Sequence, residues 1–348
     1  MLAKVDVGYQ KSSRNASQSH RGAMSERKPK VLATRHFPPA VEARLTAHFD
    51  AVLNPSDTTY DTDRLVAATA GCDGLMCAAG DPVNAATIAR LPQSLRIIAT
   101  FSVGYEHIDV AAARQRGIVV ANTPDVLTDA TADIALLCIL GAARRAQEAI
   151  DMLRGRRWEG WAPTQLMGTH VTGKRLGILG MGRIGQAVAD RARAFRMTIH
   201  YSNRSRLPPA QEKGATFHAD PEAMLQHCDF LSINCPLTPQ TRQWLNAARI
   251  ARLPDGAIVV NTARGPVVDD AALIDAVRSG KLASIGLDVF DGEPKLHAGY
   301  YDLPNAFLLP HLGSGTLETR NAMGFRALDN LEAVLLRGEA PPHPVAAS

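Results

Sequence analysis

The sequence is poor in the features that mark several protein classes. Cysteine is sparse: five residues (Cys72, Cys77, Cys138, Cys228 and Cys235), odd in number and with no CxxC pair. That pattern argues against a disulfide framework and a cysteine zinc site, and it fits a reducing compartment. The histidines, including His107, His170 and His200, have no metal-ligand spacing, so no metal is expected. No stretch approaches the ~20 apolar residues of a membrane-spanning helix, and the N-terminus lacks the apolar core of a secretory signal. A cytoplasmic chain without a membrane partner is the expectation.

An excess of one charge is missing too, once the charge is located. The formal net charge is +4, which by itself would hint at a nucleic-acid partner. Residues 1–30 hold seven Lys/Arg against Asp6 and Glu26, which leaves 31 basic and 32 acidic residues in 31–348. The basic balance therefore belongs to a tail, and no nucleic-acid footprint is expected on the body. The tail is rich in Ser, Gln, Lys and Arg without hydrophobic periodicity, and is expected to be disordered over 1–30. Met24 offers a second start, so the tail reads as an over-long N-terminus, with an organellar transit segment as the alternative.

What is present is alternation. Short apolar runs at 31–33, 51–53, 75–78, 97–101 and 118–121 predict strands, and amphipathic patterns at 40–49, 63–70, 84–91 and 108–116 predict helices between them. Asn122-Thr123-Pro124-Asp125 interrupts the series, and a long apolar helix is expected over 129–153. A second series follows, with strands at 176–179, 198–201, 230–234, 257–261, 285–289 and 307–309. Strand–helix alternation at this spacing implies parallel sheets covered on both faces.

The second series opens with Leu176-Gly177-Ile178-Leu179-Gly180-Met181-Gly182-Arg183-Ile184-Gly185, a strand running into a glycine turn and a helix. Gly180 permits the tight turn, Gly182 lets the backbone approach a pyrophosphate, and Gly185 lets the helix pack on the strand. The helix start at Arg183 and Ile184 offers free N–H groups and a positive dipole end to phosphates. The end of the next strand selects the dinucleotide. An Asp or Glu there would hold ribose hydroxyls, but this chain reads Asn203-Arg204-Ser205, with Arg204 19 residues after Gly185. A guanidinium and a hydroxyl suit a 2′-phosphate, so NADP(H) is the preferred cofactor, with NAD(H) possible.

Three further blocks each follow a predicted strand: Asn261-Thr262-Ala263-Arg264-Gly265, Asp288-Val289-Phe290-Asp291-Gly292-Glu293-Pro294 and Pro310-His311-Leu312-Gly313-Ser314. In this order they resemble the Arg, Glu and His blocks of the D-2-hydroxyacid dehydrogenase family, over about residues 30–340. Ser102-Val103-Gly104-Tyr105-Glu106-His107-Ile108-Asp109 and the segment from Asn122 to Asp133, with Trp158 and Trp161, are similar to the glyoxylate/hydroxypyruvate reductase branch. Glu106 stands where Asp is commoner, and little consequence is expected of it.

The resemblance implies an enzyme reducing a small 2-oxo acid to the D-2-hydroxy acid. Arg264 would hold the substrate carboxylate, with backbone N–H groups around Val103 and Gly104. His311 would donate the proton, and Glu293 would favour its charged imidazolium. The same likeness puts Thr262, Ala263, Asp288 and Gly313 on the nicotinamide side, and Cys235, Pro236 and Thr241 on the adenine side. Met76, Cys77, Ala78, Ala79 and Gly80 would form a small, uncharged loop facing a short substrate. The implied architecture is α/β, with two doubly wound parallel-sheet domains. A Rossmann cofactor domain would span 123–315, and a discontinuous flavodoxin-like substrate domain 31–122 plus 316–348. A homodimer through the helix from Asp129 is expected, the alternative for that helix being an intramolecular core. The competing functions are an NAD-dependent dehydrogenase of another D-2-hydroxy acid, such as gluconate or glycerate, and a non-enzymatic dinucleotide-sensing interaction protein.

Overall fold

A computed structural model describes residues 27–346. Most of the basic tail, expected to be disordered, and the last two residues of the expected 316–348 segment lie outside them. The expected tail boundary is corrected at its end. Lys28 donates from Nζ to the Ala47 carbonyl at 2.7 Å, and Lys30 already belongs to the first strand, in register with Asp50.

Five parallel strands form the first sheet: β1 (Lys30–Ala33), β2 (Asp50–Val52), β3 (Gly74–Cys77), β4 (Ile97–Thr100) and β5 (Val119–Ala121), in the order β2-β1-β3-β4-β5. Seven form the second: β6 (Arg175–Leu179), β7 (Thr198–Ser202), β8 (Thr216–Phe217), β9 (Phe230–Ile233), β10 (Ala257–Asn261), β11 (Leu282–Leu287) and β12 (Ala306–Leu308). Their order is β12-β11-β10-β9-β6-β7-β8. The central strands are buried along their whole length, as β4 and β10 are, because helices cover both faces. That is why they read as unbroken apolar runs. In the second sheet the order reverses between β6 and β9, so a crevice opens at the carboxyl end of β6, where open α/β sheets bind ligands.

The last helix, Leu317–Glu332, is capped by Thr316, whose hydroxyl accepts from the Thr319 amide. It returns to the first sheet, packing Ala327, Leu328 and Leu331 with Val31, Ala33 and Val41. Gly324 allows this approach, since a Cβ there would lie 2.3 Å from the Val41 side chain. Arg44 ties the same helix through Asp329 and Glu332.

Two expectations change. The single helix over 129–153 is two helices, Thr128–Ala143 and Ala146–Arg154, separated by a left-handed Arg145. The break has a local cause. The Thr169 amide donates to the Ala143 carbonyl at 2.8 Å, taking the acceptor that a continuing helix would need. The first half is a core helix. Gly286 on β11 sits so close that a Cβ there would lie 2.7 Å from the Cys138 carbonyl oxygen. The strand expected at 285–289 is also displaced, to Leu282–Leu287, and the short β8 had no counterpart in the sequence reading. Among the described residues, no helix is long and apolar enough to cross a membrane.

Three histidines meet beside β7. His200 Nδ1 lies 3.0 Å from His218 Nε2, and the His200 ring stacks on His227 at a centroid distance of 5.3 Å. Burial, then the charges of His218, His227 and Arg175, hold His200 down to about 4, against the opposing pull of Asp229. His218 is lowered by burial and by His227. The unfolded chain binds these protons near the ordinary histidine value of about 6.5. Below that pH it gains protons that the folded chain refuses, so stability should fall as pH drops from about 6.5 toward 4. His200→Asn should lessen the loss of Tm across that window by roughly 2 °C, the partial exposure keeping the effect small. Thermal melts at pH 7 and pH 5 test this, and equal losses in both proteins would remove the cluster as the cause.

Candidate active site

The glycine turn after β6 is built as the spacing required. Gly180 has φ +91°, and a Cβ there would sit 2.7 Å from the Cys235 backbone. A Cβ on Gly185 would lie 2.5 Å from the Gly180 carbonyl oxygen, so the helix Arg183–Ala194 can lie on the turn only with glycine at this position. Gly182 caps that helix without a side chain, whereas Asp61, Asn84, Asp109 and Asp269 each cap a helix with an oxygen. The helix start is thus left open to an external anion. Arg183 pairs with Asp125 at 2.8 Å.

Asn203, at the end of β7, clamps the turn: its Oδ1 accepts from the Met181 amide at 2.6 Å, and its Nδ2 donates to the Met181 carbonyl. Arg204 and Ser205 are exposed beside it. Arg206 is committed to Glu212 at 2.8 Å, while Arg204 has no ion-pair partner among the described residues. Two buried polar atoms at neighbouring strand ends also lack partners, Asn234 Oδ1 after β9 and Thr262 Oγ1 after β10. Together with the open helix start they fit a group that brings its own donors and phosphates, as a dinucleotide does. Cys235 is buried and its thiol is pushed up to about 11, which makes it no nucleophile. Thr241 donates to the Pro236 carbonyl at 2.7 Å, closing the loop that follows Cys235.

At the ends of β10 and β11, and just beyond β12, the remaining residues converge. His311 Nδ1 lies 2.7 Å from Glu293 Oε2, and Glu293 Oε1 accepts from the Phe290 amide at 2.8 Å. Burial pushes the Glu293 carboxyl up, but the His311 hydrogen bond and the charges of His311 and Arg264 outweigh it, holding the group below its ordinary value. Asp288 accepts from the Leu312 and Gly313 amides at 2.6 and 2.8 Å, and its carbonyl accepts from the His311 amide. Thr131 donates to the Gly313 carbonyl from the core helix. A cavity of about 670 Å³ opens beside the pair, bordered by Phe290, Leu296, Tyr300 and Tyr301.

From the first sheet, the segment after β4 brings Val103 and Gly104 to Arg264. A Cβ on Gly104 would sit 1.9 Å from Arg264 Nη2, so the guanidinium rests where a side chain would be. The carbonyls of Val103 and Gly104 accept from Asn122 Nδ2 and the Ser102 hydroxyl, at 2.8 and 2.6 Å. Their amide N–H groups have no partner among the described residues.

Two expectations are corrected here. Met76 and Cys77 are fully buried in β3, so of that segment only Ala78, Ala79 and Gly80 lie beyond the strand. The loop is instead pinned by a residue the sequence reading missed: Asp81, buried, accepts from the Ala78 amide and the Thr34 hydroxyl. Glu106 is not inconsequential either, because its carboxylate pairs with Arg264 Nε. The first signal for it was the departure from the commoner Asp.

A family model for the NAD-binding domain of D-isomer specific 2-hydroxyacid dehydrogenases matches residues 136–313. The chain is 42% identical over 309 residues to the glycerate dehydrogenase of Hyphomicrobium methylovorum, covering 88% of this chain and 96% of that protein. It is 39% identical over 322 residues to the glyoxylate reductase of Thermococcus litoralis, covering 91% and 97%. The crystal structure of an NADPH-dependent glyoxylate/hydroxypyruvate reductase from Sinorhizobium meliloti, in complex with NADP and malonate, superposes with a TM-score of 0.82. That alignment is 36% identical and spans 92% of this chain and 97% of the other. The chain belongs to the D-isomer specific 2-hydroxyacid dehydrogenase family and is an NAD(P)-dependent enzyme of it.

Proposed function

We propose that the protein is an NADP(H)-preferring reductase of short 2-oxo acids, glyoxylate or hydroxypyruvate, giving the D-2-hydroxy acid. The observation that carries this is the His311–Glu293 pair at the carboxyl edge of the sheet that also carries the open glycine turn and Arg264. When bound, the reduced nicotinamide supplies a hydride to the keto carbon. Arg264, with the amides of Val103 and Gly104, holds the carboxylate. His311 keeps Nδ1 on Glu293, which leaves Nε2 to give a proton to the developing alkoxide. Glu293, held below its ordinary value, is ionised near neutral pH and orients the imidazole through Nδ1.

The cofactor preference rests on Arg204, exposed beside the clamped turn and unpaired among the described residues, where an acidic residue would repel a 2′-phosphate. The relative from Sinorhizobium meliloti is NADPH-dependent by name, which supports the reading. The glycerate dehydrogenase relative supports hydroxypyruvate and glycerate as one redox pair run in either direction. Gly180, Gly182, Arg183, Ile184, Gly185, Asn203 and Ser205 would hold the phosphates and ribose. Thr262, Ala263, Asp288 and Gly313 would face the nicotinamide, and Cys235, Pro236 and Thr241 the adenine. Exposed apolar side chains at Leu137 on the first helix, Ile150 and Leu153 on the second, and Trp158, Trp161 and Met167 after it support a homodimer built on this region. Sedimentation of the purified chain as a monomer would remove that assignment.

The first test is the initial rate of NADPH and NADH oxidation with glyoxylate, hydroxypyruvate, pyruvate and 2-ketogluconate. Fast turnover of either of the first two with NADPH is expected. Arg204→Ala should lower kcat/KM for NADPH by about tenfold or more, the value of a charge-assisted contact, and leave NADH nearly unchanged. Equal losses for both cofactors would sink the phosphate assignment. Turnover with none of the four acids, by protein that binds the cofactor, would favour the dinucleotide-sensing alternative. Glu293→Gln should lower kcat for reduction by about tenfold or more, because His311 loses the carboxylate that orients it, and an unchanged kcat would take Glu293 out of that role.

A further inference from the structure

Glu106 follows Gly104 by two residues, and its carboxylate reaches across from the first sheet to Arg264 of the second. Arg264 spends Nε on this pair and Nη1 on the Ala263 carbonyl at 2.7 Å. Nη2 is the nitrogen left without a partner among the described residues, and it lies against Gly104. The same point of space, where a Gly104 Cβ would be, lies 2.6 Å from Glu106 Oε2. The free guanidinium nitrogen, the unpaired amides of Val103 and Gly104, and a carboxylate oxygen therefore border one small volume. Burial pushes the Glu106 carboxyl up, but the charge and hydrogen bond of Arg264 outweigh it, so Glu106 is ionised at neutral pH. Neighbouring His107 is lowered by burial and adds no positive charge there.

An acid bound on Arg264 thus lies beside a fixed negative charge that already half-neutralises its anchor. We propose that Glu106 is a charge-selecting residue, which lets the cleft take 2-oxo acids with a single negative charge and turns away those with a second anionic group, carboxylate or phosphate. The inference rests on the proposed role of Arg264 as the carboxylate anchor. It goes beyond the small, uncharged loop at Ala78–Gly80, because it rejects charge rather than size. A shorter Asp at this position would keep the charge while losing reach, so charge and fit can be separated.

The experiment compares two near-isosteric inhibitors of glyoxylate or hydroxypyruvate reduction, monoanionic oxamate and dianionic oxalate. Inhibition constants are measured for the wild type, Glu106→Gln, Glu106→Ser and Glu106→Asp, all shown by melting to be folded. The ratio of the oxamate to the oxalate constant should rise about tenfold in Glu106→Gln and Glu106→Ser, as expected when one like charge is removed at close range. Glu106→Asp should keep the wild-type ratio even if both constants move. A loss of Arg264 positioning alone would weaken both inhibitors together and leave the ratio fixed. An unchanged ratio in both uncharged variants, with the wild type turning over a 2-oxo acid, overturns this inference and leaves the proposed function standing. A wild type that reduces no 2-oxo acid overturns the proposed function and this inference with it.

Discussion

The carboxylate of Asp288 fixes the position on which the reacting end of the site depends. It sits at the end of β11, buried, and receives the amides of Leu312 and Gly313 while its carbonyl receives that of His311. Three consecutive amides of the histidine loop therefore end on one residue. His311 itself has φ +55°, a left-handed conformation that costs a non-glycine residue about 1 kcal/mol. Hydrogen bonds to a charged acceptor contribute more than that, so the loop stays in the turn that aims the imidazole at Glu293. Burial raises the Asp288 carboxyl, and the Leu312 amide, His311 and the Gly313 amide pull the other way. The anchor thus rests on the loop it anchors.

The rest of the site follows from parallel strands ending at one edge. The glycine turn ends β6, Asn203 follows β7, Asn234 follows β9, Thr262 and Arg264 follow β10, and Asp288 follows β11. A rigid sheet buried on both faces places these loops in fixed relation. Polar atoms that a soluble loop would satisfy internally are left open here, at Gly182, Asn234 and Thr262. Several other helix starts are closed by Asp or Asn caps, as at Asp61, Asn84, Asp109 and Asp269. What sets Gly182, Asn234 and Thr262 apart is that they are grouped at one edge of one sheet, which fits a surface kept for a ligand.

Much of this was legible because the deciding signals are local. Gly185 is demanded by the Gly180 carbonyl a few residues away and Gly180 by its own left-handed backbone, and each of Arg264, Glu293 and His311 lies soon after a strand readable as an apolar run. What was not legible depends on partners remote in sequence. The helix break at Arg145 follows from Thr169 taking the Ala143 carbonyl, and nothing in the apolar run from Asp129 encodes it. The apolar run at 75–78 did read as a strand, and the pairing of Met76 and Cys77 with Ala99 and Thr100 on β4 overrides the loop role that the resemblance implied for them. β8 is two residues long and has no room for a pattern. Glu106 differs from Asp by one methylene, and that difference acquires meaning only because Arg264 arrives from the other sheet.

These placements also explain the charge state of the cleft. Arg264 and His311 are each matched by a carboxylate, Glu106 and Glu293, before any substrate arrives. The two pairs are not equivalent. Glu293 contacts Nδ1 of His311 and leaves Nε2 clear of it. Glu106 pairs with Nε of Arg264, and shares the guanidinium with whatever binds there. On the proposed reading, one carboxylate serves the proton transfer and the other limits which anion reaches it. On that reading a substrate with a single carboxylate meets Arg264, while a second anionic group would meet Glu106 as well.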